Sequence, residues 1–254
     1  MRPGENLRKS KMAEVTLQTL GPQESIKQIK LWETEDSYFS VIETSLFNTG
    51  ARQHPYLQTN EAKAQTRIVK TPVPIQGPIQ VVYLDARSDA GLPHTRGKTG
   101  IALPVFLLWN PSDKTIQHEL VHLSQKQYRD RWYSWYKKSW NFRIAKEEEF
   151  MSIPGKWRER RRINPDTLGT PYMVWSDRYI ALSVFLNEME PDLRYCKRGF
   201  WDLKLSQWTW EEPEGWTHLF GSGFNDEHPN EIAAHWIDGS AGPERAEVMK
   251  NSVV

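Results

Sequence analysis

A single cysteine, Cys196, stands among the 254 residues of this chain. One thiol excludes an intramolecular disulfide and predicts a reducing compartment, with Cys196 as a free structural thiol. Long apolar runs are missing too. No stretch approaches the roughly 20 residues that a membrane-crossing helix requires, and Met1-Arg2-Pro3-Gly4-Glu5-Asn6 has no apolar segment resembling a signal peptide. The expectation is a cytoplasmic or otherwise intracellular protein without a membrane partner, a virion being compatible with the same features. Met12-Ala13-Glu14-Val15 would also serve as a start. Excess charge of either sign is absent as well: 33 Lys and Arg face 32 Asp and Glu, a net charge of +1. Nothing in that balance calls for nucleic acid or an anionic surface.

The length suits one sizeable domain with tails, and no repeat or low-complexity array interrupts it. Residues 1–25 are polar and expected to be a flexible N-terminal segment, residues 26–240 a single domain, and residues 241–254, without apolar periodicity, a flexible tail. Residues 26–110 read as strand-rich, with Tyr38-Phe39-Ser40-Val41-Ile42 and Ile79-Gln80-Val81-Val82-Tyr83-Leu84 as strands. The Pro-rich Thr71–Pro78 between them reads as a loop. Residues 111–240 read as mainly helical, including Tyr172 to Met189.

Tryptophan is abundant, at 12 residues. Arg131-Trp132-Tyr133-Ser134-Trp135-Tyr136-Lys137-Lys138-Ser139-Trp140 spaces its aromatics close to helical period, with basic residues between them. Base stacking with phosphate contact is one use of such a segment. The near-neutral charge favours the other, aromatics packed inward with Lys and Arg stems over their rims. Lys156-Trp157-Arg158-Glu159-Arg160-Arg161-Arg162 is the strongest basic patch, a solvated face or a docking surface for an acidic partner.

The most informative stretch is His118-Glu119-Leu120-Val121-His122. On a helix, imidazoles at i and i+4 stand one turn apart on one face, the geometry a tetrahedral zinc takes from two nitrogen ligands. Glu119 lies beside them, where a carboxylate can take a proton from an activated water. Ile116, Leu120, Val121 and Leu123 supply an apolar stripe. No Gly or Pro interrupts Lys114 to Tyr128, and Ser112 or Asp113 can cap the first turn. Just before it, Ile101-Ala102-Leu103-Pro104-Val105-Phe106-Leu107-Leu108-Trp109 reads as a strand. Pro104 suits an edge position, from which an extended peptide can be held by main-chain hydrogen bonds.

These residues resemble the zincin metallopeptidases, and among them the gluzincins, whose third zinc ligand is a glutamate on a later helix. The resemblance rests on His118, Glu119 and His122, and on Glu231 in His228-Pro229-Asn230-Glu231-Ile232-Ala233-Ala234-His235-Trp236. Ala234, three residues after Glu231, lets that helix approach the metal helix closely. Asn225 or Asp226 is the expected cap of the second helix, with Pro229 in its first turn.

The likeness is local, covering residues 101–128 and 225–238, and about a hundred residues separate His122 from Glu231. Two other acidic stretches compete for the ligand role. Asn187-Glu188-Met189-Glu190-Pro191-Asp192 follows a thermolysin-like pattern, but Pro191 breaks the helix it needs. Glu147-Glu148-Glu149 reads as a solvated helix face.

The resemblance implies a zinc-dependent peptidase acting on a peptide or protein substrate. His118, His122 and Glu231 would hold Zn2+, Glu119 would act as general base, and Tyr179, in Trp175-Ser176-Asp177-Arg178-Tyr179, would donate to the oxyanion. His235 is a candidate for orienting a ligand or contacting the metal region, His228 for the helix entry, and His94 for a loop over the cleft; His54 and His218 belong to no constellation. The expected architecture is α+β, a small mixed sheet with an edge strand beside the HExxH helix and a tryptophan-rich helical insert as the far wall. The alternative is a catalytically silent zincin-fold protein serving as a structural or interaction partner in a larger assembly, such as a virion.

Overall fold

The computed structural model describes residues 12–52, 61–109 and 112–252. Its architecture is α+β, with two five-stranded sheets among the described residues. No helix among them is long and apolar enough to cross a membrane.

The first sheet is mixed. Strands β1 (Ala13–Thr19), β2 (Gln65–Thr71), β3 (Ile79–Leu84), β4 (His94–Arg96) and β5 (Gly100–Pro104) lie in the order β2-β1-β3-β5-β4. β1, β3 and β5 run parallel, while β2 and β4 pair antiparallel at the two edges. β3 and β5 are buried on both faces, which explains their apolar runs, whereas β1 alternates buried and partly exposed residues. On one face Val81, Tyr83, Ile101 and Leu103 meet Ile116, Leu120 and Leu123 of a long helix. On the other, Val82, Leu84 and Ala102 pack with Ile29 and Trp32 of helix α1 (Pro22–Asp36).

Two short helices, α2 (Tyr38–Glu43) and α3 (Leu46–Ala51), follow α1. The long helix on the opposite face is α4 (Asp113–Gln127), continued by α5 (Arg129–Trp140). Trp132, Tyr136 and Trp140 of α5 are buried at i, i+4 and i+8, so its aromatics face inward.

Beyond α5 the chain builds a second, fully antiparallel sheet from β6 (Phe142–Ile144), β7 (Met173–Trp175), β8 (Tyr179–Phe185), β9 (Cys196–Asp202) and β10 (Gln207–Thr209). Short helices α6 (Glu147–Met151) and α7 (Gly155–Glu159) lie between β6 and β7. After β10 come α8 (Trp216–Phe220), α9 (Pro229–Ile237) and α10 (Pro243–Ser252). Residues from α4, α5, α8, α9, α10 and the second sheet share one aromatic core.

Several sequence expectations are corrected. Tyr38–Ile42 is helical, not a strand. Its aromatic and β-branched residues favour extended backbone, but carboxylates cap the turn: Tyr38 N–H donates to Asp36 Oδ1 at 3.1 Å and Phe39 N–H to Glu33 Oε2 at 3.0 Å. The buried residues, Tyr38 and Ile42, are then one turn apart on one face.

Tyr172–Met189 is a β-hairpin rather than a helix, so a sheet replaces the expected helical far wall. β8 is buried on both sides, and such an apolar run has no period that separates strand from helix. The turn that decides it uses Ser176 and Asp177 at φ 50° and 53°, without the Asn-Gly or Asp-Gly signature.

The expected tail at 241–254 contains α10, anchored by buried Ala246 and Met249. The supposedly flexible segment 1–25 contributes β1 and the start of α1, while residues 1–11 lie outside the described residues. The apolar run 101–109 is strand only to Pro104, then a 3-10 turn over Val105–Leu107. That strand is interior; the edge is β4. Pro104 is tolerated because it ends its strand.

At Gly100 helix α1 approaches the sheet closely. A Cβ there would lie 2.2 Å from Trp32 Cε2, and Trp32 is fully buried. Gly100→Ala is therefore expected to destabilise the fold by about 1–3 kcal/mol through overpacking. Urea unfolding checks it, as a lower midpoint at unchanged slope.

Candidate metal centre

His118 and His122 sit on one face of α4 because their spacing matches the helical repeat. Ser112 begins the helix without a side-chain capping bond. Facing them is α9, whose Ala233 and Ala234 are fully buried and pack in the same core as Val121. The entry of α9 differs from expectation: His228, not Asn225 or Asp226, is the N-cap, its Nδ1 accepting from Asn230 N–H at 3.1 Å. Glu231, in the first turn of α9, points its carboxylate at the two imidazoles.

Three donor atoms converge there. His118 Nε2 and His122 Nε2 are 3.1 Å apart. Glu231 Oε2 is 3.7 Å from the first, and its Oε1 3.7 Å from the second. Each imidazole is turned by an acceptor on its other nitrogen. His118 Nδ1 lies 2.8 Å from Asp238 Oδ2, and His122 Nδ1 2.9 Å from Gln125 Oε1. Gln125 cannot flip, because its amide donates to Tyr136 Oη at 3.0 Å and to the Asn230 carbonyl at 2.9 Å. Each Nδ1 therefore carries a proton, and the two Nε2 lone pairs face one another across a space that only a cation can fill.

Without a metal that cation is a proton. Burial opposes it, but Asp238 and Glu231 hold the His118 imidazole well above its usual range. Burial likewise works against ionised Glu231, yet His122 and His118 keep its carboxyl below the usual carboxylate range. The separations of 3.1, 3.7 and 3.7 Å also suit a tetrahedral ion. Metal–ligand bonds of about 2.0–2.1 Å put adjacent donors roughly 3.3 Å apart. Two wider groupings share Glu231: His118 with His235, and His122 with Asp166, all donor atoms of each group lying within 4.8 Å of one another.

Glu119 is buried beside this cluster, and its Oε2 has no hydrogen-bond partner. Burial, reinforced by Asp166, pushes its carboxyl well above the ordinary range. A cleft of about 330 Å³ opens here, lined by His118, Glu119, Glu231 and His235 together with Arg52, Asp89, His94, Lys114, Arg162, Asn164 and Asp166.

The other expected residues fall elsewhere. Tyr179 lies on β8, with Arg178 at 4.8 Å from its ring centroid, and lines a separate depression with Asp202 and Leu205. The oxyanion role expected for Tyr179 does not fit that position. Glu188 is on the surface, paired with Arg160. Glu149 pairs with Arg143. His94, on β4, lines the cleft and holds the Leu92 carbonyl at 3.0 Å. His218 is exposed on α8, and His54 is outside the described residues.

Sequence reasoning missed Asp238, Gln125, Asn164, Asp166 and Arg162. Asp238 and Gln125 carried a signal: each lies three residues past a histidine of the site, His235 and His122, within reach along a helix. The rest come from a loop whose placement no local pattern encodes. Comparison with family models, curated proteins and solved structures finds no match.

Tyr136 Oη, accepting from Gln125 and donating to Asn230 Oδ1 at 3.0 Å, is the buried hub of this support. Tyr136→Phe takes this partner from one Gln125 N–H and from Asn230 Oδ1, while Gln125 keeps its bond to the Asn230 carbonyl. A loss of about 1–3 kcal/mol is expected in chemical denaturation; no loss would mean that the network does not hold His122 in place.

Proposed function

We propose that the chain is a zinc-dependent peptidase with a gluzincin-like centre, in which His118, His122 and Glu231 hold the ion. The observation that carries this reading is the opposition of two imidazole Nε2 atoms at 3.1 Å, each fixed from behind by an acceptor. The carboxylate–imidazole pair Asp238–His118 is the type of support that fixes the tautomer of a metal-binding histidine and raises its basicity. Two imidazoles and one carboxylate, with space for a further donor, match the ligand set of catalytic zinc. A bound zinc would supply Lewis acidity, bringing the pKa of water toward neutrality and polarising a carbonyl.

The chain's own residues supply the rest. The unpartnered Glu119 Oε2 accepts a proton from the attacking water, and its raised pKa suits returning that proton to the leaving nitrogen. His235 takes the place foreseen for Tyr179: its ring lines the cleft, and its donor atom falls within 4.8 Å of those of His118 and Glu231. From there it can donate to a developing oxyanion. Leu92, Pro93, Ile163, Pro165 and Leu193 form apolar walls, which suit a peptide side chain.

Purified protein is expected to hold one zinc per chain, measured by elemental analysis. His122→Ala and Glu231→Ala should each lose it; undiminished zinc in Glu231→Ala would remove Glu231 from the ligand set. Glu119→Gln should keep the zinc and, in a background where Asp166→Asn frees the centre, lower hydrolysis of a mixed peptide pool about 100- to 10,000-fold by mass spectrometry. Equal hydrolysis in that variant would exclude Glu119 as the base. Zinc without hydrolysis, in wild type and in Asp166→Asn alike, would favour the silent assembly protein.

A further inference from the structure

The substrate track beside the candidate centre is occupied by the chain itself. Thr95 sits mid-way along β4, the edge strand. In an antiparallel ladder the N–H and C=O of one residue point to the same side. Those of Thr95 point away from β5, to the open edge, where an extended peptide would pair. Both are already taken. Thr95 N–H donates to Asp166 Oδ1 at 2.6 Å and its hydroxyl to the same oxygen at 2.8 Å. Its carbonyl accepts from Lys126 Nζ at 3.1 Å, and Lys126 also binds the Pro165 carbonyl at 3.0 Å.

Asp166 belongs to the segment 163–168 between α7 and β7, which is tied down at its start. Ile163 N–H donates to Asn48 Oδ1 at 2.8 Å, and Arg52 holds the Ile163 carbonyl. Asn164 Oδ1 accepts from Asp166 N–H at 3.0 Å, which turns the Asn164 amide group onto Glu231 Oε1 at 2.6 Å. The Asp166 carboxylate, with one oxygen spent on Thr95, still falls within 4.8 Å of donor atoms of both His122 and Glu231.

We infer that Asp166 is a further ligand of the cation and that segment 163–168 is a strap standing in for substrate on the β4 edge, so that the folded chain is latent. The inference rests on the metal reading above. Two observations point to it: a buried carboxylate at ligand range of His122 and Glu231, and the outward main-chain N–H of the open edge, that of Thr95, taken by the same residue. What displaces the strap is an extended peptide segment, whose carbonyl replaces the Asp166 carboxylate at the Thr95 N–H while Lys126 of α4 keeps the Thr95 carbonyl.

The test compares wild type, Asp166→Asn and Thr95→Val. Asparagine keeps an acceptor for Thr95 but is a far weaker ligand; Thr95→Val removes the hydroxyl that steadies Asp166. Three quantities are read: zinc affinity by chelator competition, the visible absorption of the cobalt-substituted protein, and the affinity of a small hydroxamate for the zinc form. Asp166→Asn is expected to weaken zinc binding about 10–100-fold, alter the cobalt spectrum, and tighten hydroxamate binding at least tenfold. Thr95→Val should move all three the same way by less.

Zinc bound equally by wild type and Asp166→Asn, with one cobalt spectrum and one hydroxamate affinity, would overturn the strap while leaving the metal centre intact. Failure of wild type to bind zinc would overturn both. If Asp166→Asn does not fold, Thr95→Val decides alone: an unchanged spectrum and hydroxamate affinity would reject the proposal.

Discussion

Two nitrogen lone pairs held 3.1 Å apart in a buried cleft set the terms for the rest of the molecule. Such an arrangement is repulsive unless a positive charge sits between the rings, and it persists only because both imidazoles are locked from behind. The lock is distributed: Asp238 comes from just past α9, Gln125 from the same helix as the histidines, and Tyr136 from α5. Bringing those elements together needs close helix packing, which Ala233 and Ala234 on α9 permit. The aromatic core beneath, from Trp132 and Trp140 to Trp236, is what makes that packing rigid. The tryptophans thus serve the site without touching it.

The electrostatic composition around this point is costly for a fold. Glu119, Asp166, Glu227, Glu231 and Asp238 crowd one wall, answered by Lys126, Arg162 and the histidines. Burying ion pairs rarely adds stability over apolar packing of the same volume. Arg162, for example, is bound to Glu227 at 2.8 Å yet leaves its Nε without a partner. Groups assembled at such cost, with pKa values displaced in opposite directions, mark places where charge is used. On the proposed reading, Glu119 raised and Glu231 lowered, side by side, would divide the labour between a group that carries protons and one that binds cations.

How much of this could be read from the chain depends on how far each contact reaches. His118, Glu119 and His122 were legible because one helical turn relates them, and Glu231 because a Pro at the helix start and small residues after it announce a helix that can come close. The central sheet was legible at Ile79–Leu84. Tyr38–Ile42 was misread because capping by Glu33 and Asp36 outweighs β propensity. Tyr172–Met189 was misread because a strand buried on both faces has no period. Tyr179 was chosen for its donors, and its place on that hairpin puts it at another depression. Asp166 and Asn164 were out of reach altogether: a loop residue far along the chain reaches the centre only through tertiary contacts such as those to Thr95.

The position of that loop changes what an edge strand beside the candidate metal centre means here. An open edge gives a substrate free main-chain partners; this one presents partners already bound. A tethered segment competes at an effective concentration on the order of millimolar. A peptide offering only the same hydrogen bonds therefore loses to the strap at ordinary concentrations. To win, it must add contacts that the strap does not make, and the cleft offers them in the walls formed by Leu92, Pro93 and Leu193 and in the buried Arg52–Asp89 pair beneath. Selectivity would then arise from the energy required to lift Asp166 away from Thr95. On that reading substrates would be ranked by how well they fill the cleft beyond the edge, and the hydrogen bonds that keep the centre closed would set the threshold each must exceed.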